Sequence, residues 1–121
     1  KRTSMVTATQ DVAPSVILGD IEICKVQREA AIAWQYAALY CAGTFDGKSG
    51  WRLPTQAEAR AIQENRIWLY SCICFDKFNS GYYWCSDSPK AGQQWGVNLS
   101  GIGYDGIPTT GEYQVRCVRN K

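Results

Sequence analysis

Hydrophobic positions fall at three- and four-residue steps early in the chain and at two-residue steps late in it. In the segment VQREAAIAWQYAALYCAG, residues 26–43, the positions Ala30, Trp34, Ala37, Ala38 and Cys41 share one face at helical spacing. Ala, Leu and Gln dominate this stretch and are good helix formers, and Gly43 offers a C-terminal stop. The spacing predicts a helix whose small-residue face lets another element approach closely. Before it, residues 1–20 are mostly small, polar or β-branched, with Pro14 and Gly19. They read as a loose lead followed by a short strand over 15–18.

A turn at GKSG leads into GWRLPT. Thr55-Gln56-Ala57-Glu58 has the form of a capping box, in which the Thr55 hydroxyl accepts from the Glu58 N–H and the Glu58 carboxylate reaches back to the Thr55 N–H. Pro54 keeps Leu53 out of the helical region. A second helix therefore runs from Gln56 to about Asn65, with Ala57, Ala61 and Ile62 available to pack. Trp51 and Leu53 would anchor the turn in the core, and Arg52 would bond backbone carbonyls or an acidic neighbour. An Arg52 that grips an acidic ligand is the competing reading, and it is the weaker because Trp51, Arg52, Pro54, Thr55 and Glu58 each already have a local structural task.

After Arg66 the period changes. IWLYSCICF is β-branched and aromatic and reads as a buried strand or an ordered loop. GYYWCS, QQWGVNLS and EYQVRCVRN follow, separated by Gly, Pro, Asp and Ser clusters, as short strands of an antiparallel sheet. In the last of them Tyr113, Val115, Cys117 and Arg119 alternate with Gln114, Arg116 and Val118. Helices first and strands afterwards suggest an α+β fold, with a lead and first strand over residues 1–20 and a single domain over residues 21–121.

Composition narrows the function. The net charge of +2, from 13 basic and 11 acidic residues, is too near balance for a nucleic-acid footprint. No apolar run approaches the roughly 20 residues a membrane span needs. The chain opens at Lys1 without a signal-peptide pattern and reads as a mature product or a piece of a longer protein. It contains no His, which removes Ser-His-Asp and Cys-His arrangements and the commonest general base. Six cysteines, Cys24, Cys41, Cys72, Cys74, Cys85 and Cys117, point to an oxidising compartment and disulfides. Without His, and with only a C-x-C at 72–74, a zinc site is the poorer reading. Six cysteines allow about 15 pairings, and spacing alone does not choose among them.

Four segments in order, the helix ending in YCAG, then GWRLPTQAEA, YYWCSDSPKAGQQWGVNLS and YQVRCVR, resemble bacterial surface domains with a C-type-lectin-like fold. That group includes the C-terminal domain of collagen-like adhesins and many Bacteroidetes surface and fimbrial proteins. Formylglycine-generating, sulfatase-modifying enzymes look like more distant relatives through the RLPT-x-x-E turn. The match covers residues 24–120. It implies two helices with a short-stranded antiparallel sheet, stapled by disulfides. It also implies that the first helix and the final strand lie side by side, which favours Cys41 with Cys117. Where the group carries Ser after Tyr-Trp, this chain has Cys85, which suggests a bridge from Cys85 to Cys72 or Cys74, leaving Cys24 for the other.

The resemblance implies an extracellular or cell-surface module for adhesion or ligand recognition, part of a larger fimbrial or envelope protein, with a glycan or a host or bacterial surface protein as partner. The stretch 86–110 is rich in Ser, Gly, Asn, Asp, Tyr and Gln, a mixture suited to adaptable hydrogen bonding on a rigid scaffold. Asp87, Gln93, Gln94, Trp95, Asn98, Ser100, Tyr104 and Asp105 are the candidate ligand-binding residues. Related domains vary in this region, some by a retroelement, so a diversified binder is an alternative. Copper-dependent cysteine chemistry, as in the sulfatase-modifying relatives, is another, but neither Cys85 nor Cys117 has the context of a reactive thiol. Asp87 and Asn98 are oxygen donors of the kind calcium takes, but they lack the neighbours that complete a cage. The expectation is therefore a non-catalytic module with no catalytic residues, no metal site and no cofactor.

Overall fold

A computed structural model of the protein describes residues 13–28, 30–43 and 48–121. The lead over residues 1–12 lies outside the described residues. Strand β1 (Ser15–Leu18) turns through Gly19 and Asp20 into β2 (Ile21–Cys24). Gly19 has φ 61°, the left-handed value that a two-residue hairpin of this kind requires. A short β3 (Ile32–Ala33) leads into helix α1 (Trp34–Ala42), and α2 (Gln56–Glu64) is followed directly by α3 (Arg66–Tyr70). The remaining strands are β4 (Tyr82–Trp84), β5 (Gln93–Asn98), β6 (Tyr104–Pro108), β7 (Glu112–Tyr113) and β8 (Val118–Asn120).

These strands form three small sheets, ordered β1-β2-β8, β3-β7 and β4-β5-β6, and every pairing within them is antiparallel. The β2 strand is buried along its whole length because β1 and β8 cover its two edges. Single bridges knit the sheets together: Arg52 pairs with Val118, and Tyr83 with Gln114. Two apolar clusters fill the space between. One joins Ile23, Ile62, Leu69, Tyr83, Val97 and Val118, and the other joins Trp51, Leu53, Trp84, Ile107, Val115 and the Cys41–Cys117 pair.

Arg116 is 1% exposed, and it ties these layers together. Its Nη1 donates to the Cys24 carbonyl at 3.0 Å, and its Nη2 donates to the Asp76 carbonyl at 2.6 Å and to Gln27 Oε1 at 3.1 Å. The guanidinium lies 4.7 Å and 4.6 Å from the ring centres of Phe75 and Phe78. Burial draws its pKa below the ordinary arginine value.

The architecture corrects the α+β, C-type-lectin-like arrangement expected from the sequence. The chain is organised mostly by small antiparallel sheets, three in place of one, with three helices in place of two among the described residues. The first helix starts at Trp34, not in the twenties: Ile32 and Ala33 are drawn into a strand by Tyr113 and Glu112, and Ala30 is exposed. Ile67 to Tyr70, read as strand or loop, continue the helical path as α3, with Leu69 N donating to Asn65 O. Only Leu69 of that helix is buried, so the β-branched and aromatic composition did not mark a core strand. On α2 the packed face is Ala59 and Ile62, while Ala57 is exposed. EYQVRCVRN is divided into β7 and β8, and its alternation survives with both faces buried from Val115 to Val118. β6 escaped notice because Asp105, Gly106 and Pro108 look like turn residues.

The Cys41–Cys117 bridge is formed, with a Cα–Cα distance of 5.5 Å across a sequence separation of 76. The bridge from Cys85 to Cys72 or Cys74 is not, and those three residues carry thiols. The leftover pairing to Cys24 is likewise not formed. Closing so long a loop stabilises the fold by about 4 kcal/mol on the chain-entropy account. Replacing Cys41 and Cys117 together by Ser is expected to lower the stability by a corresponding amount and to steepen the denaturant slope as the unfolded chain expands, measured by urea unfolding.

Candidate functional site

The β5–β6 register decides which candidate residues meet. Trp95 pairs with Gly106 and Val97 with Tyr104, so Trp95 and Tyr104 stand on one face as diagonal neighbours. Their rings meet edge to face with centres 5.8 Å apart. Val97 on the same face is fully buried and Trp95 is half-buried against the core. Tyr104, nearer the rim, is 43% exposed. Gln93 shares the face and lies over Gly106: a Cβ at Gly106 would sit 2.5 Å from Gln93 Oε1.

Helix α2 supplies what the sequence reading missed. Its buried residues Ala59 and Ile62 seat it against the core, and this places Arg60 and Gln63 over the end of the sheet. The Arg60 guanidinium lies 4.4 Å from the centre of the Tyr104 ring, a cation on an electron-rich face. Gln63 Nε2 donates to the Asn98 and Gly103 carbonyls at 2.9 and 3.1 Å, holding the β5–β6 turn. Arg60 and Gln63 are three residues apart on a strongly amphipathic helix, so their shared side was legible. What that side faces was not.

The other candidates are committed elsewhere. Asp87 Oδ1 accepts from the Gln56 N–H at 2.8 Å, at the start of α2. Gln94 is buried and its Nε2 donates to the Asp87 and Cys85 carbonyls at 3.1 and 3.3 Å. Asn98 Oδ1 accepts from Ser100 Oγ at 3.1 Å within the turn. Asp105 faces the opposite side from Tyr104, and its carboxylate accepts from the Gly106 N–H at 2.8 Å. With Pro108 lacking an N–H altogether, the outer edge of β6 offers little for another strand to pair with. Asp87 and Asn98, the oxygen donors that suggested calcium, serve different elements.

GWRLPT is a packed junction. Trp51, Leu53 and Pro54 are buried. The backbone of Arg52 pairs with Val118 in both directions, at 2.7 and 2.8 Å. Its side chain grips both Glu58 oxygens, at 2.7 and 2.9 Å, and donates to Asn120 Oδ1 at 2.7 Å. Thr55 and Glu58 complete the capping box. The Arg52 ion pair, with the Thr55 N–H behind it, holds the Glu58 carboxyl below the ordinary glutamate value. Glu22 is buried in β2 and is similarly depressed, by Lys48 first and then by Ser15 and Arg119.

Clefts of about 440, 460 and 530 Å³ open on the surface, and none of the three is lined by the eight candidate ligand-binding residues or by Arg60. The thiol of Cys85 is buried, and burial pushes its pKa up, the opposite of what a nucleophile needs. No described helix is long and apolar enough to cross a membrane.

The family model described as the Lcl C-terminal domain matches residues 8–119. No curated protein matches the chain.

Two expectations follow from the cap and its ion pair. Asp87→Ala removes an acceptor from the start of α2 and should lower stability by about 1 kcal/mol, read as a shift of the urea midpoint. Glu22 and Glu58 titrate lower in the folded chain than unfolded, where the ordinary value is 4.5. Their stabilisation is complete above that value and is lost as pH falls through the folded pKa. The urea midpoint should therefore fall on acidification below roughly pH 5, and Glu58→Gln should start lower at neutral pH and show a shallower acid limb.

Proposed function

The chain belongs to the Lcl C-terminal domain family, and from that premise we propose that it is a non-catalytic recognition module of a secreted or surface-exposed bacterial protein. Its ligand, a glycan or a surface protein, docks on the face built by Trp95, Tyr104 and Arg60. The observation that carries this reading is the exposed Tyr104 ring with Arg60 at 4.4 Å and Trp95 edge-on at 5.8 Å. An aromatic ring of this kind offers a broad apolar contact whose side-chain entropy cost is low, and the guanidinium adds planar donors beside it. Both rest on ordered elements, α2 and the β4–β5–β6 sheet, so little order has to be bought on binding.

The shape supports a ligand that lies along a surface. The clefts described above do not coincide with this face, so a glycan chain or a protein suits it better than a small molecule enclosed in a pocket. The non-catalytic reading draws on a chain without His and on carboxylates, Glu22 and Glu58, that are held in ion pairs. Adhesion, as a module of a larger fimbrial or envelope protein, is the biological role this reading implies.

The test is binding of the purified chain to glycan and matrix-protein arrays, followed by titration of whatever is captured. Tyr104→Ala and Arg60→Ala should each weaken binding by tenfold or more, about 1.4 kcal/mol, at an unchanged unfolding midpoint. Asp87→Ala, which reaches the face only through the seating of α2, should weaken binding less than either. Variants of Tyr104 and Arg60 that are folded and bind like the wild type would move recognition to another face.

A further inference from the structure

The Cys72-Ile73-Cys74 stretch lies outside the recognition face. The chain turns sharply here as α3 ends. Cys72 N donates to Leu69 O at 3.0 Å, and Phe75 N donates to Cys72 O at 3.2 Å. Inside that second turn Cys74 adopts φ 64°, and among the described residues no other non-glycine has a positive φ. L-residues rarely adopt this conformation.

The turn brings the backbones of Cys72 and Cys74 within disulfide range. Residues two apart in a fully extended chain are separated by about 7 Å, close to the upper limit for a disulfide, and a turn brings them nearer than that. Cys74 is exposed and Cys72 is partly so. Cys72 also lines the cleft of about 440 Å³, with Ile17, Trp68 and Ile73, each of which is about half exposed. The other thiol sulfur that the resemblance would have joined to this pair, Cys85, is fully buried and closed to reagents from solvent. Cys41 and Cys117 are already bonded to each other.

We propose that Cys72 and Cys74 form a thiol–disulfide exchange pair that closes on itself when it meets a small-molecule or protein disulfide. The Cys74 thiolate attacks one sulfur of that disulfide. The reagent's S–S bond breaks, one half departs as a thiolate, and the other half stays on Cys74 as a mixed disulfide. The Cys72 thiolate then attacks the Cys74 sulfur, the second half departs, and the Cys72–Cys74 bond forms. The two cysteine protons go to the two departing thiolates, and the reagent gains the two electrons that the pair gives up. A ring this small is readily reduced again, as strained and exposed disulfides are, so the pair exchanges where Cys41–Cys117 staples. Closing the ring captures Ile73 and thereby sets the rim of the cleft it shares with Trp68 and Ile17.

The experiment incubates the full chain, with Cys41–Cys117 intact, in oxidised glutathione. Remaining thiols are alkylated and the protein is digested with trypsin without reduction. Cleavage after Arg66 and Lys77 releases residues 67–77, a peptide that carries Cys72 and Cys74 and no other cysteine. The expected product is that peptide lighter by two hydrogens and carrying no alkyl group. It should revert under a mild dithiothreitol treatment that leaves Cys41–Cys117 bonded. Cys72→Ser, which lacks the resolving thiol, should accumulate glutathione on Cys74. Full alkylation of both cysteines after glutathione treatment, stable glutathione on the wild-type peptide, or a cross-link from either residue to Cys85 or Cys24 would each overturn the proposal.

Discussion

A buried guanidinium whose hydrogen bonds, among the described residues, go to neutral oxygens sets the terms for the rest of this fold. Arg116 has exchanged water for two backbone carbonyls, a glutamine oxygen and the faces of two phenylalanines. A charge held away from solvent is tolerable only while such partners are in place. Those partners come from the end of β2, from Gln27 and from the loop after α3, segments that also meet directly where Asp76 N donates to the Lys25 carbonyl and Gln27 N donates to the Asp76 carboxylate. On either side of Arg116 the same principle continues by other means: Cys117 is bonded to α1, Val118 is paired with Arg52, and Val115 fills the second core cluster. Residues 115–118 thus reach every layer, and opening the loop around Phe75 would strand a buried charge. That couples the middle loop to the sheets cooperatively.

The second organising point is the start of α2. Thr55 and Asp87 accept from its first N–H groups, and Arg52 clamps Glu58 while pairing with the last strand. Helix α2 is therefore fixed at its N-terminus by three separate parts of the chain. Its packed residues Ala59 and Ile62 fix its rotation. Position and rotation together bring Arg60 over Tyr104, so the geometry of the exposed face is a consequence of the buried junction. The GWRLPT segment sets the position of Arg60 through this placement and not by contact.

Part of the candidate face was readable in the sequence. The polar-aromatic stretch contains Trp95 and Tyr104, and their shared face follows from strand alternation once β6 is recognised as a strand. Its Asp, Gly and Pro concealed it, because those residues also serve the edge: Asp105 occupies the Gly106 N–H and Pro108 offers none. Asp87, Gln94 and Asn98 have the polar chemistry of binding residues, and their side chains also serve the scaffold, Asp87 and Gln94 through backbone groups and Asn98 through the Ser100 hydroxyl. Composition cannot separate those two uses of an amide or a carboxylate. Arg60 was hidden for the opposite reason, since an arginine on a helix reads as a solvated charge until its neighbour is known.

By itself the sequence determined what is settled within a few residues. The capping box at Thr55 and Glu58, the strand at Ser15–Leu18 and the alternation through the closing segment all depend on hydrogen bonds or periodicities that adjacent residues define. Tertiary structure decided everything that depends on distant partners. It shortened the first helix, because Ile32 pairs with Tyr113, about eighty positions away in the chain. It made Ile67–Tyr70 helical by continuing α2, and it left thiols at Cys72, Cys74 and Cys85 while joining Cys41 to Cys117. Local propensities differ by fractions of a kcal/mol per residue, whereas a buried pairing or an orphaned polar group is worth one to several. Where the two disagree, the long-range contact prevails.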